Sequence, residues 1–270
     1  MELFDTHFHY YGESTPVEFM SNVKLALGTP PQSDAGTVDR LHLLAVGGDY
    51  VESLRAREFA GVIPDTYYAA GVHPHQAENF LAQKEDFSIF FKEGKAPVAI
   101  GELGVDYYYA NSPEKEQLEV FEEFLDLALV HDLPAIVHIR DQEDTDKAYR
   151  DAYSLLEPFA ARGGRFVVHC FAGTPAWAEK FLALGGYIGV TGMVTFRRAE
   201  NIREAIRSVP DDRLLIETDS PYLAPVPHRG EENHPGFLVL IAAFAAQLRG
   251  MSAAEFAALT TANGKRLFLI

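Results

Sequence analysis

L-F-D-T-H-F-H, residues Leu3 to His9, is the stretch on which the fold and the chemistry both turn. An apolar run feeds straight into His7 and His9, which are separated by one residue. On an extended strand successive side chains alternate faces, so the two imidazoles point the same way from the strand's end. Lying about 6–7 Å apart along the backbone, they suit one divalent cation. A polar surface turn could carry the same two histidines, so the pair gains meaning only from what recurs downstream.

Strand-like runs do recur, at residues 41–46, 67–72, 97–100, 134–138, 165–169, 187–190 and 213–217. With the first they make eight. Helical patterns separate them. Ser112-Pro113 reads as an N-cap and a first-turn proline, followed by Leu118, Phe121, Leu125 and Ala128 on one face. Thr174-Pro175 repeats that start, and Ser252 to Glu255 has capping-box spacing. Residues 10–39 read as a polar connection containing Gly and Pro, with Gly28-Thr29-Pro30-Pro31 as loop. Strand and helix alternating eight times predict a (β/α)8 TIM barrel, one α/β domain over residues 1–270; a doubly wound open sheet is the rival.

Composition narrows the function. A hydrophobic fraction of 47% supports a large core, and a formal charge of −16 argues against a stable complex with nucleic acid built on many phosphate contacts. One phosphate held at a metal centre is not excluded. The single cysteine, Cys170, excludes an internal disulfide framework, and neither a leader nor a membrane span is evident, so a cytoplasmic protein is expected.

Chelating side chains fall where a barrel gathers its chemistry, at the C-terminal ends of strands. His7 and His9 follow the first strand, His73 and His75 the third, and Glu102 and Asp106 the fourth. His138 and Arg140 end the fifth, His169 the sixth, and Glu217 and Asp219 the eighth. Four histidines and two carboxylates exceed one tetrahedral ion with an open position and suit two. The natural partition gives His7, His9 and Asp219 to one cation and His138 and His169 to the other, with Glu102 between. Two divalent ions less two carboxylates leave two positive charges, suited to hydroxide and an anionic substrate. Asp219 is then placed to accept a proton as general base.

D-T-H-F-H, G-V-H-P-H, G-E-L-G-V-D-Y-Y, H-I-R, H-C-F, E-T-D-S-P-Y-L-A-P and the R-G-x-x-N-x-P pattern from Arg229 to Pro235 together resemble the TatD family of metal-dependent deoxyribonucleases and related hydrolases. The motifs run in the family's order from residue 3 to about residue 236, and A-N-G-K-R-L-F near the end is also similar. The resemblance implies a TIM-like barrel with a two-metal site on those six ligands. It also implies that His73 and Glu217 lie near the site without being principal ligands. Two stretches depart from the pattern. Residues 10–39 differ from the family's short polar segment, which bears on substrate preference. Gly47 to Asp49 differs slightly, with little expected from it.

The remaining residues divide more evenly. His73 is a candidate to touch substrate. Arg140 offers a planar fork for a phosphate oxygen, or else an ion pair with Glu217 or Asp219. Cys170 follows a ligand and is expected to face away from it, into the core. Tyr107, Tyr108 and Tyr109 could stack bases or pack on a loop. His42 and His131 look like core histidines. The expectation is a hydrolase using two ions of zinc, manganese or magnesium on DNA ends or a small phosphodiester. The alternatives are an amide or ester hydrolase on a small substrate and a non-catalytic metal-binding module.

Overall fold

The computed structural model describes residues 1–28 and 37–270. Eight parallel strands lie in sequence order: β1 (Glu2–Phe8), β2 (Arg40–Val46), β3 (Thr66–Ala70), β4 (Ala99–Asp106), β5 (Ala135–Arg140), β6 (Phe166–Val168), β7 (Tyr187–Val190) and β8 (Leu214–Ile216). Helices alternate with them: α1 (Pro16–Gly28), α2 (Tyr50–Val62), α3 (Ala77–Gln83), α4 (Ile89–Lys92), α5 (Glu114–Val130), α6 (Lys147–Ala161), α7 (Pro175–Ala183), α8 (Glu200–Ser208), α9 (Leu238–Arg249) and α10 (Ala253–Phe268). This is a (β/α)8 TIM barrel. The seam between β1 and β8 closes through Thr6 Oγ1 to Ile216 O at 3.1 Å, Asp219 N to His7 O at 2.9 Å and His9 N to Ser220 O at 2.8 Å. Two of those bonds belong to the residues of the expected metal site, so the residues that close the barrel also build the site.

One apolar cluster takes a residue from every strand, namely Phe4, Leu44, Ala69, Ala99, Ile136, Val167, Tyr187 and Leu215, and it fills the lumen. Leu267 and Phe268 of α10 join the same cluster. A second cluster, with Leu43, Leu103, Val137, Val168 and Ile216, packs between strands and helices. Alternation therefore assigns Phe4, Thr6 and Phe8 to the lumen and His7 and His9 to the helix side. A bulge in β1 between Asp5 and Phe8 reverses that parity, because three residues there oppose two of β2. Phe8 then packs outward and both histidines face the lumen. β4 repeats the device between Ile100 and Leu103, which turns Glu102 inward. Gly104, at φ 140°, lets β4 pass the His138 carbonyl of β5, where a Cβ would approach to 2.0 Å.

Several boundaries differ from the sequence reading. β4 runs through G-E-L-G-V-D, so Glu102 and Asp106 lie on the strand rather than beyond it. Residues 16–28, expected as a polar connection, form α1, whose start is held by Thr15 and Glu18 bonding each other in a capping box. Gly28 closes that helix, and the rest of the expected Gly28–Pro31 loop lies outside the described residues. Ser112 does not cap α5. Its hydroxyl donates to His75 O and accepts from Glu78 N, tying the loop after β3 to that after β4. Thr174 and the Ser252–Glu255 box cap their helices as expected. His131 is exposed and stacks on Phe91 instead of lying in the core. No single helix among the described residues is long and apolar enough to cross a membrane.

Candidate metal centre

The structure brings His7, His9, Glu102, His138, His169 and Asp219 together above the lumen, with His73 beside them. His7 Nε2 lies 3.2 Å from His9 Nε2 and 3.4 Å from Glu102 Oε2, and His9 Nε2 lies 3.5 Å from Asp219 Oδ1. The longer separations in this group are 3.7 Å for His9 to Glu102 Oε2 and 3.8 Å for His7 to Asp219. Ligand atoms of a tetrahedral cation bound at 2.0–2.2 Å stand roughly 3.3–3.6 Å apart. The four donors therefore surround a space of a cation's size. The other oxygen of Glu102 faces a second nitrogen group: Oε1 is 2.9 Å from His138 Nδ1, 3.4 Å from His169 Nε2 and 3.8 Å from His73 Nε2. Glu102 is thus buried with its two oxygens turned to different imidazoles, and His169 joins the two groups: its ring stacks on His7 at 3.6 Å and its Nε2 lies 3.8 Å from Asp219 Oδ1.

The far ring nitrogens show which lone pairs are available. His9 Nδ1–H donates to Val46 O at 3.1 Å, and His169 Nδ1–H donates to Glu217 Oε1 at 3.0 Å, leaving each Nε2 lone pair facing the cluster. His138 Nε2–H donates to Asp106 Oδ2 at 3.2 Å, leaving Nδ1. His73 is the opposite case. Its Nδ1 accepts from the His75 backbone N–H at 3.1 Å, so in the neutral ring the proton sits on Nε2 and makes it a donor. Geometry alone groups His73 with Glu102 and His138; the tautomer separates it from them.

Charge agrees with this arrangement. Burial opposes an ionised Glu102, but the charges of His169, His73 and His7 outweigh it and hold the carboxyl well below its usual range. Burial likewise opposes charged His138, yet hydrogen bonds to Asp106 and Glu102 raise it to about 9. His169 rises to about 10 against burial, through the charges of Glu217, Glu102 and Asp219. Protons and cations compete for the same lone pairs here.

Several supporting residues escape a reading by motif. Asp5 is buried at the β1–β8 seam, accepting from Thr218 N at 2.8 Å, Thr218 Oγ1 at 2.5 Å and His7 N at 3.3 Å. Burial pushes its carboxyl up to about 8. Asp106, expected among the chelators, instead accepts from His138 and from His75 Nε2 at 2.9 Å, and from Tyr108 N and Tyr109 N. Glu217 accepts from His169 and from Cys170 N at 2.6 Å, in space that a Cβ at Gly189 would fill at 2.4 Å. The Gly47–Asp49 turn does more than expected: Asp49 caps α2, and Gly48 N donates to Glu52, a cavity-wall carboxylate. Tyr11 lies parallel to the His9 ring and shares a hydrogen bond of 3.0 Å with Tyr222.

Cys170 does not face away. The strand has ended at Val168, and a left-handed backbone (φ 47°) brings the residue to the cavity wall, where burial keeps its thiol well above the usual range and so protonated. Arg140 makes no ion pair with Glu217 or Asp219. It is exposed, with its guanidinium 4.4 Å from the Tyr108 ring centre and 4.7 Å from that of Tyr109. Tyr107 is buried and donates to Asp151. The cluster opens into a cavity of about 980 Å³ that Arg140, Tyr108 and Tyr109 line on one side.

Comparison with known proteins agrees with this geometry. The model of TatD-related DNases matches residues 4–269. The chain is 35% identical to the uncharacterized metal-dependent hydrolase YabD of Bacillus subtilis, covering 99% of each chain. It is 37% identical to the 3'-5' ssDNA/RNA exonuclease TatD of Erwinia tasmaniensis over 84% of this chain and 87% of that one. Among solved structures, YjjV, a TatD homolog from Escherichia coli K12, superposes with a TM-score of 0.82 at 27% identity, covering 99% of this chain and 98% of that one. A match across nearly the whole length, on a barrel that gathers the expected donors, places this chain in the TatD family of metal-dependent hydrolases.

Proposed function

We propose that the protein hydrolyses phosphodiester bonds at the ends of single-stranded nucleic acid, with two divalent cations held by six side chains. His7, His9 and Asp219 would hold one and His138 and His169 the other, with Glu102 bridging. The observation that carries this reading is that one Glu102 oxygen faces His7 and His9 while the other faces His138 and His169. Bound there, such ions supply Lewis acidity toward a phosphoryl oxygen and acidify water. Nitrogen-rich donors favour zinc or manganese over magnesium.

The chain's own residues do the rest. Asp219, whose carboxyl is held below its usual range despite burial by the nearby charge of His169, is ionised and able to take a proton from the attacking water. His73 presents Nε2–H to an oxygen of the substrate. Arg140 rests on Tyr108 and Tyr109 with its donors unclaimed by any carboxylate among the described residues, and so can fork a non-bridging oxygen. Glu217 acts through His169, fixing its tautomer. The nucleic-acid part of the proposal draws on the exonuclease relatives.

The test is a chelator-stripped protein reloaded separately with zinc, manganese or magnesium and given an end-labelled single-stranded oligonucleotide. Stepwise shortening on reloading alone is expected. Cleavage of amides or esters, with the oligonucleotide intact under every metal, would overturn the proposal.

A further inference from the structure

A chain of net charge −16 must still accept a polyanion if the proposed function is right, and its cavity rim is charged unevenly. The wall at the end of β5 carries Arg140 together with Asp141, Glu143 and Asp146, the last paired with Arg150 at 3.1 Å. Two to three strands further round the barrel, the loops after β7 and β8 carry Arg197, Arg198 and Arg229 beside Phe196, which itself lines the cavity. Arg229 lies over the Phe196 ring at 3.9 Å. All three arginines are exposed, and none has a carboxylate within ion-pair distance among the described residues. By contrast Arg203 and Arg207, on the adjacent α8, are both paired with Glu200. The loop that bears Arg197 is also braced from beneath. Arg203 donates to Val194 O at 3.1 Å, Phe196 O at 2.7 Å and Arg197 O at 3.4 Å. Unpaired guanidiniums on a braced loop, at the edge of a catalytic cavity, keep their donors for a ligand and lose little entropy in binding it.

We infer that Arg197, Arg198 and Arg229 form a track for the backbone phosphates of a single strand whose end lies in the metal centre. The strand leaves over the β7–β8 rim, while Arg140 at the end of β5 holds the phosphate in the centre itself. The inference rests on the phosphodiesterase reading and adds to it a direction of approach. It also reconciles the overall charge with the substrate, because a few local contacts take the place of a basic surface.

Each phosphate contact on a single strand contributes about 0.7 to the slope of log affinity against log salt. The experiment compares the parent, R197Q/R198Q and R197K/R198K. Binding of a labelled 20-mer is followed by anisotropy with chelator present, so that nothing is cleaved, and hydrolysis of bis(p-nitrophenyl) phosphate is followed with metal restored. The glutamine pair is expected to flatten the salt slope by about 1.4 and to weaken oligonucleotide binding about ten- to a hundred-fold at low salt. Its rate on the small diester should stay within about two-fold, and the lysine pair should recover most of the slope. Equal slopes for parent and glutamine pair, with normal small-diester hydrolysis, would overturn the track and leave the phosphodiesterase reading standing. Hydrolysis of neither diester by the parent would remove both.

Discussion

A histidine–carboxylate group lies at each end of β1, partly exposed at the N-terminal end and buried at the C-terminal end, and the two differ in what balances their charge. At the N-terminal end Glu2 Oε1 lies 2.5 Å from His42 Nε2 and 2.8 Å from Lys265 Nζ, with Arg40 at 3.9 Å. At the C-terminal end Glu102 and Asp219 face imidazoles alone, and neither has a lysine or arginine within ion-pair distance among the described residues. The lower group is closed by cations of the chain itself. The upper group leaves its two carboxylates to be balanced by protons on histidine or by metal ions. A histidine beside a carboxylate therefore does not mark a metal centre by itself; the C-terminal group differs in bringing several donors to one space with no lysine or arginine to balance them.

The largest expected effect tests that difference. Glu102→Gln keeps the volume and removes the charge between the two imidazole sets. Metal content measured by mass spectrometry should fall by at least one ion per chain, with activity down on the order of 10³-fold, about 4 kcal/mol of barrier. Circular dichroism should be unchanged, since the lumen core is untouched. The matching change at the other end, Glu2→Gln, should leave metal content and rate alone. Retention of both ions with activity within a few-fold of the parent would show that Glu102 does not bridge.

A smaller effect is expected where the site meets the cavity. Arg140→Lys keeps a positive charge and loses the planar fork. If the guanidinium holds a non-bridging oxygen, losing one charge-assisted contact costs about 1.5–3 kcal/mol, roughly ten- to a hundred-fold in rate on a phosphodiester. An amide, which has no such oxygen, should respond little if cleaved at all. Metal content must be normal in the variant for the comparison to hold. Undiminished phosphodiesterase activity in both Arg140→Lys and Arg140→Ala would remove the phosphate-clamp role.

The sequence already carried the barrel and the meeting of the six donors, because both follow from periodicity and from the placement of chelators at strand ends. Parity did not follow. Counting alternately from the lumen residue Phe4 sends His7 and His9 to the helices, and only the bulge against β2 turns them inward. A bulge is a property of two strands in register, so neither strand's sequence displays it. The roles of Asp5 and Asp106 were hidden for the same reason: their partners are His7, Thr218, His75 and His138, mostly on other strands and loops. α1 is different. Thr15 and Glu18 have capping-box spacing, a local signal that a reading by polar composition does not weigh.

The smallest effect belongs to the lower end of β1, where Lys265→Met should cost stability and nothing else. The pair with Glu2 is partly exposed, so its worth is about 0.5–1.5 kcal/mol. The acid dependence identifies it more sharply than the magnitude does. The hydrogen bonds from Lys265 and His42 hold Glu2 at about 2, below its ordinary 4.5. A carboxyl depressed in the folded state contributes stability that is fully present above its unfolded pKa and is lost as pH falls through the folded one. The Glu2 contribution should therefore be intact above about pH 4.5 and vanish toward pH 2. Urea unfolding of parent and Lys265→Met, both stripped of metal so that the upper cluster contributes equally, should give curves that converge as pH drops through that window. Kinetic constants at neutral pH with metal restored should agree within about two-fold. A constant gap between the curves from pH 5 to pH 2, or a change in metal content, would mean that the lower group is not the self-contained ion cluster its geometry describes.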